Sequence, residues 1–173
     1  MTRPRILVLG LGNRLMADDR AGLEALALLF RTYRLPAGVD RMDGGTLGLD
    51  LLAHIHGYPA VLVLDCIVAG RSPGTVLRLD GAGVPAVLGG HVSPHQAGLA
   101  DLLAALELLG RVPERFAVVG VEPLTVDPGL DLSEPVRAAL PLMVREAARV
   151  LREWGVEVTP AEAHAAFAAR TLR

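Results

Sequence analysis

Short, continuous apolar runs alternate along this chain with longer stretches in which apolar residues recur every three or four positions. Arg5–Leu9 is the first such run and is followed by Gly10 and Gly12. Val39–Met42 is the second, ending at Asp43-Gly44-Gly45, and Ala60–Leu64 is the third and most uniformly apolar. Gly74–Leu79 and Phe116–Val121 complete the set, with Val156–Val158 as a last short extended piece. A strand with no polar alternation is expected to be covered on both faces, the signature of a parallel sheet between helical layers. Between the runs, Leu23, Leu26, Ala27 and Phe30 mark a helix over Ala21–Arg31 that Asp18 or Asp19 can cap. Thr46 can cap a short helix that stops near Gly57 and Pro59. Ser93-Pro94-His95-Gln96 reads as a capping box opening a helix to Leu109. A long helix is expected from Ser133 to Trp154, bent at Pro141. Thr159-Pro160-Ala161-Glu162 is another capping box, which suggests a helical tail. The pattern therefore predicts one α/β domain over residues 1–158, a three-layer α/β/α sandwich with a mostly parallel sheet, followed by a tail over 159–173.

Composition narrows the partners. Of 173 residues, 51% are hydrophobic and only 3% aromatic, so aliphatic packing fills the interior. A net charge of −2 gives no reason to expect nucleic acid or an anionic membrane as partner. No apolar run approaches a membrane-spanning length, and the amino-terminal segment reads as a strand and its loop rather than as a signal peptide. Cys66 is the single cysteine, so no internal disulfide forms, which fits a reducing cytoplasm. Lysine is absent, and Asn13 and Gln96 are the only residues of their types; each sits in a segment that also carries candidate chemistry.

In parallel sheets ligands bind beyond the carboxyl ends of the strands. That edge collects Asp18 and Asp19 after the first strand, Asp43 after the second, Asp65 at the end of the third, and His95 in the first turn of a helix. Two carboxylates and an imidazole make an open site for a borderline divalent metal. A carboxylate such as Asp65, placed straight after a buried run, is costly unless paired or wet. Cys66, its neighbour, alternates to the other face and is a small buried hydrophobe rather than a nucleophile. His54 and His56 do not share a helix face, His91 lies in a Gly-rich loop where it could serve as a spare ligand, and His164 lies in the tail. The GLGN turn lacks the third glycine of a dinucleotide fingerprint, because Arg14 and Leu15 intervene.

The ordered segments ILVLGLGNRLMADDRAG, MDGGTLGLDLL, LVLDCIV, SPHQAGLADLLAAL and VVGVEP, spread over Arg5 to Trp154, resemble the hydrogenase maturation endopeptidases. The resemblance implies a five-stranded twisted sheet and a nickel-dependent endopeptidase that removes the C-terminal peptide of a nickel–iron hydrogenase large-subunit precursor in the cytoplasm. It implies that Asp19, Asp65 and His95 contact nickel already carried by the substrate, and that Asp43, Gly44, Gly45 and Thr46 form a substrate-side loop. One departure stands out: Arg20 occupies a position where many family members have glycine, which leaves Asp18 as an alternative ligand to Asp19. Two other functions use the same residues. A metallopeptidase with its own zinc lacks support from any HExxH helix. A nickel-sensing or chaperone-like module would bind the precursor without cutting it.

Overall fold

A computed structural model describes residues 5–81, 84 and 94–161. Five strands form one sheet: β1 (Ile6–Leu11), β3 (Val39–Gly45), β4 (Ala60–Cys66), β5 (Val76–Asp80) and β6 (Arg115–Val121), in the order β3-β1-β4-β6-β5. All neighbours pair in parallel except β5, which runs antiparallel to β6 at the edge. The helices are α1 (Ala21–Thr32), α2 (Leu51–Ile55), α3 (Pro94–Leu108) and α4 (Glu134–Glu153). The expected three-layer fold is thus present.

The layers follow from strand alternation. In β1, β4 and β6 the residues Ile6, Val8, Leu62, Leu64, Val119 and Val121 face α1 and α4. Their neighbours Leu7, Leu9, Val61, Val63 and Val118 face α2 and α3. Every residue of β1 and β4 is buried, which explains why neither run shows polar alternation. A fully buried Leu or Val contributes about 1.5–3 kcal/mol, so the two faces of these strands dominate the stabilising side of folding.

Several boundaries differ from the sequence expectation. β1 extends to Leu11 and β3 to Gly45, because the two strands stay paired up to Leu11 opposite Gly45. Asp43 therefore lies inside a strand, and Asp65 and Cys66 are the last residues of β4. Neither Asp18 nor Asp19 caps α1: both sit in a single 3-10 turn, Ala17–Arg20, and Arg20 is the N-cap. Thr46 caps nothing either, since a 3-10 turn at Gly48–Asp50 leads into α2. α4 runs through Pro141. The last extended piece is β7 (Thr159–Pro160) rather than Val156–Val158, and it pairs antiparallel with β2 (Tyr33–Arg34). Ser93 of the first capping box, the loop histidine His91 and the tail from Glu162, with His164, lie outside the described residues. No described helix is long and apolar enough to cross a membrane.

From the carboxyl end of β1 the chain turns to β3 on one side, and from β3 it crosses back to β4 on the other. The switch point of the sheet therefore lies between the carboxyl ends of β1 and β4, where open α/β sheets leave a crevice.

Candidate functional site

Two glycines bring the acids to that crevice. Gly12 has a φ of 134°, and a Cβ there would stand 1.9 Å from the carbonyl oxygen of Asp19. The turn carrying Asp19 thus folds directly onto the end of β1. Gly22, in the first turn of α1, lies against the carbonyls of Leu11 and Leu64, where a Cβ would meet oxygens at 2.4 and 2.3 Å. The start of α1 is thereby seated on the ends of both β1 and β4.

Four carboxylates are buried at this edge: Asp18 and Asp65 are 0% exposed, Asp19 is 3% and Glu122 is 5%. Each accepts a hydrogen bond from a backbone amide. The Asn13 amide donates to Asp19 Oδ2 at 2.7 Å, and the Cys66 amide to Asp65 Oδ1 at 2.7 Å. Ala69 donates to Glu122 Oε2 at 2.8 Å. Asp18 accepts from four donors. Its Oδ2 accepts from the amides of Leu124 and Thr125 at 2.9 and 3.1 Å and from the Ser133 hydroxyl at 2.8 Å. Its Oδ1 accepts from the Ser133 amide at 2.7 Å. The single Asn also works here: Asn13 Oδ1 accepts from the Leu15 amide at 2.9 Å, closing a local turn.

Cys66 reports the field of this cluster. Burial raises the thiol pKa well above its usual range, and the nearby carboxylates of Asp65, Asp19, Asp18 and Glu122 raise it further. The thiol stays protonated and buried at neutral pH, so it is no nucleophile.

The other expected residues are arranged around this centre. Asp43 pairs through Oδ2 with Arg14 at 2.7 Å, and its Oδ1 accepts from the Gly45 amide at 3.0 Å. Gly44 is buried where a Cβ would press on Leu9 and Leu11, so its role is packing. Gly45 and Thr46, with Gly48, Leu51, Gly98 and Leu99, line a cavity of about 40 Å³. Gly98 lies against Gly48, which fixes the first turns of α3 beside the β3 loop. His95 is the second residue of α3, one turn before Gly98, and its side chain lies outside the described residues. Among the described residues no three His, Cys, Asp or Glu side chains gather around one metal position. The structure thus brings Asp19, Asp65 and the Asp43–Thr46 turn to one edge, and the helix that carries His95 lies against the turn after β3 through Gly98. His54 lies in the last turn of α2, and His56 is its C-cap.

Arg20, the departure noted above, is accounted for. Its guanidinium bonds Glu24 at 2.6 Å and the Leu130 carbonyl, tying α1 to the loop after β6. Two acids of the edge were not singled out by sequence reasoning for the part they play. Asp18 was weighed as a cap or spare ligand, yet its partners lie more than a hundred residues away in sequence, and no local pattern announces them. Glu122 carried a readable signal: it follows directly on the buried apolar run of β6, as Asp65 follows the apolar run of β4.

The chain is matched over residues 24–150 by the hydrogenase maturation protease family. It is 39% identical over 160 residues to the hydrogenase 2 maturation protease of Escherichia coli K12, covering 92% of this chain and 98% of that one. This chain belongs to the hydrogenase maturation protease family. Another relative of the maturation protease is the hydrogenase expression/formation protein HupD of Rhizobium leguminosarum bv. viciae, 40% identical over 158 residues, with 90% of this chain and 78% of that one covered. In solved structures, the maturation protease superposes on the hydrogenase maturating endopeptidase HybD of E. coli with a TM-score of 0.86 at 38% identity, over 91% of this chain and 98% of that one. The NiFe hydrogenase maturation protease HybD of Thermococcus kodakarensis gives 0.70 at 29% identity, over 84% and 98%. The maturation protease is thus an endopeptidase by family, and its fold is that of HybD.

Proposed function

We propose that this maturation protease removes the C-terminal peptide of a nickel–iron hydrogenase large-subunit precursor, and that Asp19, Asp65 and His95 meet the nickel that the substrate carries. The observation that supports this reading best is the pair of buried carboxylates, Asp19 and Asp65, flanking the switch point of the sheet. A buried carboxylate at a strand end costs stability, and a fold keeps such groups where chemistry uses them. Two oxygen donors and an imidazole suit a borderline divalent ion and leave positions for groups of the substrate. Backbone amides from Asn13 and Cys66 fix the direction of each carboxylate before the substrate arrives.

In this reading the nickel is a substrate feature that the protease recognises. One of the two carboxylates takes a proton from the attacking water as its oxygen bonds to the scissile carbonyl carbon, and that proton passes to the leaving amine nitrogen as the peptide bond breaks. The protonated Cys66 thiol takes no part. The Asp43–Thr46 turn, one strand away, positions the C-terminal segment, with the Gly45–Thr46 cavity against α3 as its nearest recess. The reaction takes place in the cytoplasm. The direct test is substitution: Asp19→Asn and His95→Ala retain a cooperative thermal transition and lose precursor processing. Full processing by both variants overturns the site assignment.

A further inference from the structure

The loops that carry the acids also expose apolar side chains. Leu15, Leu124 and Leu130 are 64%, 59% and 68% exposed. All three belong to one layer made of the loop after β1 and the loop after β6. The Gly129 amide donates to the Leu15 carbonyl at 2.9 Å, and the Ala17 amide donates to the Gly129 carbonyl at 2.9 Å. The Leu124 amide is held by Asp18, and the Leu130 carbonyl by Arg20. The backbone under these leucines is therefore pinned, and the side chains stand on a fixed surface.

Arg14, Arg20 and Asp127 of this layer are engaged within the chain, while Asp131, beside Leu130, is exposed. Arg14 is paired with Asp43, Arg20 with Glu24, and Asp127 accepts from the Thr125 hydroxyl. With its cations paired and three exposed leucines against one exposed acid, the surface offers an apolar partner more than an ionic one. It is continuous with the candidate site, because Asp18 anchors it and Asp19 is the next residue. A protein whose peptide reaches Asp19 lies against it.

We propose that Leu15, Leu124 and Leu130 form the surface on which the large-subunit precursor docks, through an apolar patch beside its cleavage segment. This rests on the reading of the chain as the protease of that precursor. The three leucines set the affinity for the precursor, and the acids behind them carry the chemistry. Leu108 and Leu109 provide an internal comparison: they are 89% and 53% exposed at the far end of α3, away from the acids.

The test compares the wild type with the triple variant Leu15→Ser/Leu124→Ser/Leu130→Ser and the control Leu108→Ser/Leu109→Ser. Cleavage of nickel-loaded precursor is followed by intact mass across a range of precursor concentrations. Binding to uncleaved precursor and self-association are followed by sedimentation velocity. The triple variant should raise KM by about tenfold or more while kcat holds, and the control should match the wild type. A wild-type KM in the triple variant overturns the proposal, as does a loss confined to kcat. A triple variant that only dissolves a dimer, with KM unchanged, assigns the surface to a second copy of the chain and overturns it too. If the wild type binds precursor without cutting it, and the triple variant loses that binding, the docking surface stands and the protease reading falls.

Discussion

The two ends of the sheet handle carboxylates in opposite ways. At the carboxyl edge Asp18, Asp19, Asp65 and Glu122 are buried, and each accepts from backbone amides. At the amino edge Asp40 lies at the surface, where it accepts from Arg5 at 2.8 Å and from the Tyr58 hydroxyl at 2.7 Å, with the guanidinium stacked 4.5 Å from the Tyr58 ring. The second arrangement is cheap, because solvent screens it and side chains can leave it. The first costs desolvation and needs a backbone shaped to supply the donors. A chain that builds both shows that its buried acids are not a default way of placing aspartate. The expensive edge is where function is to be sought.

The largest expected effect falls on the acids at the crevice. Asp19→Asn and Asp65→Asn keep an oxygen for the amides of Asn13 and Cys66, so the fold holds, yet processing should drop at least a hundredfold, about 2.7 kcal/mol or more in transition-state free energy. Gel or mass assays of precursor cleavage measure this. Activity within a few fold of wild type would remove Asp19 and Asp65 from the chemistry and leave the two edges equivalent.

Asp18 comes next, and its effect is on stability. Asp18→Ala removes the shared acceptor of the amides of Leu124, Thr125 and Ser133 and should cost about 3 kcal/mol, roughly a 6–12 °C fall in Tm. Ser133→Ala removes one bond and leaves the amide contacts, so its loss should be about 1 kcal/mol. Thermal melts that rank these two variants the other way would contradict the clamp.

Gly12→Ala should follow. The added methyl meets the Asp19 carbonyl in a backbone conformation that alanine rarely adopts, so the turn has to shift. The variant is expected to lose processing out of proportion to its Tm. An unchanged cleavage rate would show that Asp19 does not depend on this turn.

The smallest effect is at the amino edge. The hydrogen bond from Arg5, with that from Tyr58, holds the Asp40 carboxyl below its ordinary range. A carboxylate with a lowered folded pKa adds stability above its unfolded value, near 3.8, and that contribution disappears as pH falls through the folded value. Arg5→Ala should therefore flatten the decline in urea midpoint below about pH 4 and leave processing at neutral pH unchanged. A processing defect in Arg5→Ala would break the contrast between the edges.

What could be read from the sequence divides along the same line. The central strands were legible because burial on both faces leaves them uniformly apolar, and Asp65 was legible because it ends such a run. The strand ends were legible only in place, since Gly10 lies inside β1 and Asp43–Gly45 inside β3, where the two strands stay paired. The caps were not. Asp18 and Asp19 have the composition of a cap, yet Asp18 is taken up by donors more than a hundred residues away, Asp19 accepts from the Asn13 amide of the preceding turn, and Ser133 spends its hydroxyl on Asp18 instead of on α4. Arg20, a departure from the glycine of many family members, is held by Glu24 and the Leu130 carbonyl. The Asp18 clamp and the Arg20–Leu130 contact join segments about a hundred residues apart, which no local spacing encodes, whereas Arg20–Glu24 is a local i,i+4 pair.

The central claim is that the carboxyl edge reads nickel on the substrate and then cuts. The measurement that tests it most directly is the intact mass of a cognate hydrogenase large-subunit precursor after incubation with this protein, once with nickel loaded and once without. Loss of a C-terminal peptide from the nickel-loaded precursor alone is the predicted result. Cleavage of both forms, or of neither, would contradict the claim.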